Sequence, residues 1–361
     1  MSEERFMRQA LRLAARGKGN TSPNPLVGAL VVDASGTVVG SGFHERAGSD
    51  HAEAVAIREA GGRAKGATLY VTLEPCAHQG RTPPCANAIA EAGITRVVSA
   101  IEDPDLQVRG TGHARLREAG IQVDVGIAAA EAAHLNRMYL RHRATGRPFV
   151  TLKMSQALNG KIAARPGERR QLSGTRAARL VRALRYDHDA VMVGAGTVTI
   201  DDPLLTVRPY RNRVVPYRRI VVDSHGRAPR TAKVFRDQKR FATIVATTDL
   251  MPQQTRDELA RLGVRVLVCA RGADDRVDLS GMLQALGAEG IVSVLCEGGP
   301  TLAAALAAQR DVDEFAWILA PRLLAGYESV DVLAGAVDVA LDLESVKRIG
   351  DDWLVTGKRG A

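Results

Sequence analysis

The alternation of apolar and polar positions changes period repeatedly along the chain. Residues 3–16 place apolar side chains at helical spacing, and residues 26–32 and 38–42 read as two strands joined through Ala34-Ser35-Gly36 in a hairpin. A helix starting at His51, with Ser49 or Asp50 as its cap, precedes a strand over 68–73 and a helix from Pro84. Strand 96–101, a helix around 112–119 and strand 121–125 continue the alternation, which predicts an α/β layered sheet. A helical pattern over 128–142 ends before Ala144-Thr145-Gly146-Arg147-Pro148, a short polar stretch with glycine and proline. That stretch predicts a boundary between one domain over 1–146 and another over 147–361. The second part reads as a further α/β unit, with strands over 149–154, 190–194, 219–223, 243–247, 264–269, 291–296 and 315–320. Its helices fall around 175–186, 254–262 and 301–308.

Length agrees with two units, because 361 residues exceed one typical core. No run of about 18 uninterrupted apolar residues exists, so no membrane span is expected. Met1-Ser2-Glu3-Glu4-Arg5 lacks the apolar stretch of a signal peptide, and the protein is expected to be cytoplasmic. Four cysteines do not make a disulfide framework, and Cys269 and Cys296, in apolar runs, are expected to be inert core thiols. The formal charge of +9 is unevenly placed: residues 1–145 hold 17 Lys+Arg against 15 Asp+Glu, and the rest hold 32 against 25. A polynucleotide-modifying enzyme needs a basic groove with aromatic stacking platforms, and only 4% of the chain is Phe, Trp or Tyr. A small anionic ligand suits this balance better than nucleic acid.

The chemistry concentrates in His51-Ala52-Glu53, Pro75-Cys76 and Cys85. These supply three zinc ligands and one carboxylate left over, the order used by zinc deaminases. A catalytic zinc takes three protein ligands and keeps a fourth position for water, whose pKa it lowers from roughly 15.7 toward about 7. Glu53 is then placed to carry the proton from that water to the leaving nitrogen. Eight residues separate Cys76 from Cys85, which predicts a loop over the metal, with Thr82 as cap of the helix carrying Cys85. A closed structural zinc site needs a fourth protein ligand, and only His78 is nearby; two cysteines buried without metal are the other alternative. Cys76 lies just past its strand, at the edge where ligands of open α/β sheets bind.

Phosphate-binding cues occur in the second half. Val193-Gly194-Ala195-Gly196-Thr197 has too few glycines for the dinucleotide fingerprint and no clear helix after it. Glu297-Gly298-Gly299-Pro300-Thr301-Leu302 follows a buried strand and opens a helix, so it can hold a pyrophosphate; a plain strand-to-helix turn accounts for the same residues.

Pro23-Asn24-Pro25-Leu26-Val27-Gly28, Gly42-Phe43-His44, His51-Ala52-Glu53 and Pro75 through Cys85 together resemble the deaminase half of the bifunctional riboflavin-biosynthesis deaminase/reductase family. Asp103-Pro104-Asp105, Leu135-Asn136 and Gly146-Arg147-Pro148 extend the resemblance over the first 150 residues. Lys153, Leu158 through Lys161, Asp201 through Arg208, Asp223-Ser224 and the 297–302 segment resemble the reductase half, almost to the C-terminus. The resemblance implies a cytidine-deaminase-like α/β/α layer domain followed by a dihydrofolate-reductase-like α/β domain. It implies that Asn24, His44, His78 and Thr82 line the pyrimidine or its phosphate; from the residues alone, Asn24 is a turn residue and His44 a surface histidine. It further implies that Lys153, Gln156, Thr197, Ser224, Gly299, Pro300 and Thr301 meet NADPH together with Asp201, a catalytic candidate. Arg185, Leu205, Arg208 and Glu297 would hold the ribose phosphate.

The implied function is zinc-hydroxide deamination of 2,5-diamino-6-ribosylamino-pyrimidinone 5′-phosphate, then NADPH-dependent reduction of the ribosyl group to ribityl, in a homo-oligomer. Two departures stand out. Asn159 replaces an aspartate, and Arg169-Arg170-Gln171-Leu172-Ser173 stands where the family has Ser-x-Trp-Ile-Thr, losing a serine and a tryptophan expected at substrate and cofactor. An altered reductase, or a zinc deaminase acting on nucleic acid or free nucleotides, is the alternative.

Overall fold

The computed structural model describes residues 3–77, 84–105, 109–207, 213–272, 274–335 and 338–360. The chain forms two compact units, Met1–Gly146 and Arg147–Ala361. Among the described residues no helix is long and apolar enough to cross a membrane.

The first unit runs α1 (Glu3–Ala14), β1 (Gly28–Val32), β2 (Val38–Phe43), α2 (Ala52–Ala60), β3 (Thr68–Val71), α3 (Cys85–Glu91), β4 (Arg96–Ser99), α4 (Thr111–Glu118), β5 (Gln122–Val125), α5 (Ala129–Leu135) and α6 (Arg137–Thr145). Its sheet has the order β2-β1-β3-β4-β5; β1 is antiparallel to both neighbours, and β3, β4 and β5 are parallel. Successive side chains of a strand point to opposite faces. Ala29 and Val31 of β1 therefore pack with Ala56 of α2, Ile89 of α3 and Leu116 of α4, while Leu30 and Val32 pack with Phe6 and Met7 of α1. Burial on both faces gives the α/β/α layers.

The helical pattern over 128–142 is broken into two helices at Asn136. Its side chain accepts a hydrogen bond from Leu26 N at 2.8 Å and donates to Leu26 O at 2.9 Å. This pairing to a distant backbone outweighs the local preference for one continuous helix.

The second unit runs β6 (Phe149–Ala157), β7 (Lys161–Ala163), α7 (Thr175–Asp187), β8 (Ala190–Gly194), α8 (Ala195–Asp201), β9 (Arg218–Val222), β10 (Ala242–Thr247), α9 (Gln253–Arg261), β11 (Arg265–Val268), α10 (Leu279–Ala288), β12 (Ser293–Cys296), α11 (Pro300–Ala308), β13 (Glu314–Ala320), β14 (Val330–Asp331), β15 (Leu341–Ile349) and β16 (Asp352–Arg359). Its sheet has the order β11-β10-β9-β8-β12-β6-β13-β16-β15, parallel from β11 through β13, with β16 and β15 added antiparallel. Both faces are covered: Met192, Ile220 and Val294 pack with α10 and α11, while Val191, Val221 and Val245 pack with α8 and α9.

Several elements differ from the pattern reading. A helix, α8, does follow Gly194, and α10 and the β15–β16 hairpin were not foreseen. The hairpin is held by backbone pairing while Leu343 and Val346 of β15 stay exposed, so alternation carried no burial signal there. Cys296 is buried in the core, where burial pushes its thiol up to about 12; Cys269 is only half-buried and is pushed up to about 11.

Candidate functional site

His51, Cys76 and Cys85 converge. His51 occupies the N-cap position of α2, so neither Ser49 nor Asp50 caps that helix; Ser49 Oγ donates to Arg46 O instead. Cys76 follows β3 by a short segment, and Cys85 is the first residue of α3, where Pro84 holds the cap position expected for Thr82. The three ligand atoms lie within 4.8 Å of one another, with His51 Nδ1 at 3.2 Å from Cys85 Sγ and 3.6 Å from Cys76 Sγ. Cys85 N donates to Cys76 Sγ at 3.4 Å, which adds the N-terminus of α3 to the stabilisation of a thiolate.

The donor set fits zinc. Cys76 is held down at about 4, first by the hydrogen bond from Cys85, and Cys85 is pushed far up because it supplies that proton. The two sulfurs thus give up one proton readily and share the second. A dication placed between them takes the role of that proton, and among the described residues one imidazole and two thiolates supply three of the four ligands that zinc takes. Glu53, on the first turn of α2, is 3% exposed, and burial raises its pKa, opposed by His51. A carboxyl that favours its proton beside three converging metal-ligand atoms is equipped for general acid/base work.

Asn24 and His44 belong to the same cluster. His44 is buried rather than on the surface, and its ring meets that of His51 edge-on at 5.6 Å between centroids. Its Nδ1 lies 3.1 Å from Asp50 O, an acceptor, so Nδ1 carries the proton and Nε2 accepts from Asn24 Nδ2 at 3.1 Å. Desolvation lowers the His44 pKa and keeps this ring neutral. His78 and Thr82 lie outside the described residues.

Beneath the cluster sits a buried network that the sequence did not reveal. Glu74, two residues before Cys76, accepts from the backbone N–H groups of Asp103 (3.2 Å), Gly110 (3.0 Å), Gly112 (2.9 Å) and His113 (3.2 Å). Two of these belong to the first turn of α4, where a carboxylate complements the helix dipole. His113 Nε2 pairs with Ser99 Oγ at 2.8 Å. At Gly112 a Cβ would lie 1.9 Å from Pro75 O, so only glycine lets α4 approach the ligand-bearing segment this closely.

In the second unit Thr197, Ser224 and Glu297 follow β8, β9 and β12 closely, and Lys153 and Gln156 lie on β6. Arg185 Nε and Nη2 donate to Glu297 Oε1 and Oε2 at 2.5 and 2.9 Å, a bidentate pair. Arg185 holds the Glu297 carboxyl below its usual range, while burial lowers Lys153 on β6. Arg185 and Glu297 line a cavity of about 860 Å³ with Asp201, whose pKa burial raises. Thr197 of α8 stands next to Gly299, the cap of α11, where Pro300 and Thr301 open the helix. Leu205 is buried and adopts φ +49°, a strained conformation for a branched side chain. Gln156 accepts from Trp317 Nε1 at 2.7 Å, and Ser224 Oγ accepts from Val277 N at 3.0 Å. Arg208 lies outside the described residues.

Residues 1–101 match the model of the cytidine and deoxycytidylate deaminase zinc-binding region, and residues 148–355 match that of the RibD C-terminal domain. The riboflavin biosynthesis protein RibD of Escherichia coli is 40% identical over 336 residues, covering 90% of this chain and 89% of that protein. The chain belongs to the RibD family. A structure of Acinetobacter baumannii RibD has a TM-score of 0.90 at 37% identity, covering 99% of each chain. A Thermotoga maritima structure, described as a diaminohydroxyphosphoribosylaminopyrimidine deaminase/5-amino-6-(5-phosphoribosylamino)uracil reductase, has a TM-score of 0.85 at 31% identity, covering 99% of this chain and 98% of that one. As a RibD-family protein, the chain is a bifunctional enzyme of riboflavin biosynthesis, with a cytidine-deaminase-like zinc-binding domain and a dihydrofolate-reductase-like domain.

Proposed function

We propose that His51, Cys76 and Cys85 hold zinc for hydrolytic deamination of 2,5-diamino-6-ribosylamino-pyrimidinone 5′-phosphate. The cavity beside Arg185 and Glu297 then serves NADPH-dependent reduction of the ribosyl group to ribityl. The observation that carries the first half is a buried carboxyl, Glu53, spared from ligation beside three converging ligand atoms. Zinc supplies the Lewis acidity that makes water a nucleophile at neutral pH. Glu53 takes a proton from the attacking water and returns it to the leaving nitrogen, so that ammonia departs and a carbonyl remains. Asn24 and neutral His44 orient the pyrimidine through fixed hydrogen bonds. In the second unit NADPH supplies the hydride. Arg185, locked by Glu297, presents a fixed cationic edge to the ribosyl phosphate; Thr197, Asp201 and the N-terminus of α11 face the cofactor.

The same reading makes the protein a cytoplasmic enzyme acting on a small phosphorylated pyrimidine, and a homo-oligomer, the last to be checked by light scattering. The deciding experiment supplies the diaminopyrimidinone ribosyl phosphate and follows ammonia release and NADPH oxidation together. Glu53→Ala should stop ammonia release with zinc still bound; Asp201→Asn should slow NADPH oxidation alone. Ammonia release unaffected by Glu53→Ala would sink the deaminase assignment, and ammonia without NADPH oxidation in the parent would sink the reductase half.

A further inference from the structure

The cavity of the second unit is lined by Arg169, Arg170 and Gln171 and by one face of α7. That face is formed by Ala178, Val181, Arg182 and Arg185, at the i, i+3, i+4, i+7 spacing that aligns side chains along a helix. Three of the four arginines have an answer in the protein: Arg185 is taken up by Glu297, Arg170 pairs with Glu168 at 3.1 Å, and Arg169 faces Asp201 at 4.0 Å. Arg182 is half-buried and has no carboxylate partner among the described residues. A cation drawn partly out of water without a counter-charge is unfavourable, and a ligand anion offsets that cost.

Resting on the reading of this cavity as the ribosyl phosphate site, we propose that Arg182 is an additional ligand for the substrate's phosphate. The substrate is favoured over the cofactor as the source of the anion because the substrate candidates Arg185 and Glu297 line the cavity. Of the cofactor candidates, Thr197, Ser224, Gly299 and Thr301 do not line it, and Asp201 does. The assignment also gives the departures a consequence: with Arg169 and Gln171 in place of an expected serine and tryptophan, substrate binding leans on charge supplied by α7.

The test uses the full chain as wild type, Arg182→Gln, Arg182→Lys and, as control, Arg179→Gln, an exposed position outside the cavity lining. NADPH oxidation is measured with the deaminated ribosyl phosphate and with its dephosphorylated counterpart; ribose 5-phosphate binding is measured by calorimetry. Arg182→Gln should raise KM for the phosphorylated substrate about tenfold with kcat within about twofold, and weaken ribose 5-phosphate to the same degree. KM for NADPH and for the dephosphorylated substrate should not move, Arg182→Lys should recover part of the loss, and Arg179→Gln should match wild type. Equal ribose 5-phosphate affinity in wild type and Arg182→Gln overturns the proposal. So does a rise in KM for NADPH instead, which would assign the arginine to the cofactor, or an equal loss on the dephosphorylated substrate, which would make its role structural. Absence of NADPH oxidation in wild type would fault the reductase reading, while the ribose 5-phosphate arm would still decide on Arg182.

Discussion

Replacing Glu74 with alanine removes one carboxylate that four backbone N–H groups share, in a part of the first unit that water does not reach. Hydrogen bonds to a charged group contribute about 1.5–3 kcal/mol each, so even the low end approaches about 6 kcal/mol for the four. The bonds share an acceptor, and a water entering the gap would satisfy part of the set; about 3 kcal/mol is the expected net loss. With a urea dependence of about 2 kcal/mol per molar, the unfolding midpoint of this unit should fall by about 1.5 M. Glu74→Gln keeps the shape but turns an amide group toward backbone donors, so it should lose about 2 kcal/mol. The assay is urea unfolding by circular dichroism, with hydrogen exchange at Gly110, Gly112 and His113 as a local readout. A Glu74→Ala midpoint within about 0.3 M of the parent, or unchanged exchange at those amides, would refute the assignment of Glu74 as the anchor of the loop under Cys76.

Cys85→Ser should leave the protein with well under one zinc per chain and abolish ammonia release, while NADPH oxidation on the deaminated substrate continues; full zinc occupancy would contradict the ligand set. Arg185→Met leaves Glu297 without its bidentate partner, so the second unit should lose about 3 kcal/mol and its NADPH oxidation while ammonia release is retained. Burial pushes the His113 pKa below that of an exposed histidine, so as pH falls the unfolded chain takes up this proton first. The stability is therefore full above about pH 6.5 and declines below it. His113→Asn should flatten that decline between about pH 7 and pH 5.5 in urea midpoints, and an unchanged slope would remove His113 as its cause.

The sequence made the candidate zinc cluster legible because its chemistry is carried by residue type and order: His51, Cys76 and Cys85 could be grouped with Glu53 without tertiary information, and their three ligand atoms do converge. The strands of the first sheet and the parallel strands of the second were legible for a similar reason, since burial on two faces leaves continuous apolar runs such as 190–194 and 291–296, whereas β15 and β16 left no such run. What stayed hidden depends on contacts between distant segments. Glu74, Ser99 and His113 sit among apolar neighbours with no spacing that marks a network, and His44 looked like a surface residue because nothing local tells that Asn24 and Asp50 O receive its ring. In α10 the apolar residues Leu279, Met282, Leu283 and Leu286 do fall at helical spacing, but Gly281 and Gly287 interrupt the segment and weaken its local preference for helix. Arg182 reads as one more solvated arginine until Arg185 is seen to be occupied by Glu297.

Asn136 joins two helices to the segment that carries Asn24, using both ends of one amide to complete Leu26 as a neighbouring strand would. Aspartate at that position lacks the donor, leucine lacks both groups, and glutamine is a methylene too long for a buried fit. The structure therefore demands asparagine there as strictly as it demands the sulfurs, because both ends of its amide are committed to the backbone of Leu26. A survey of tolerated substitutions would flag it as if it were catalytic, for reasons that are purely architectural.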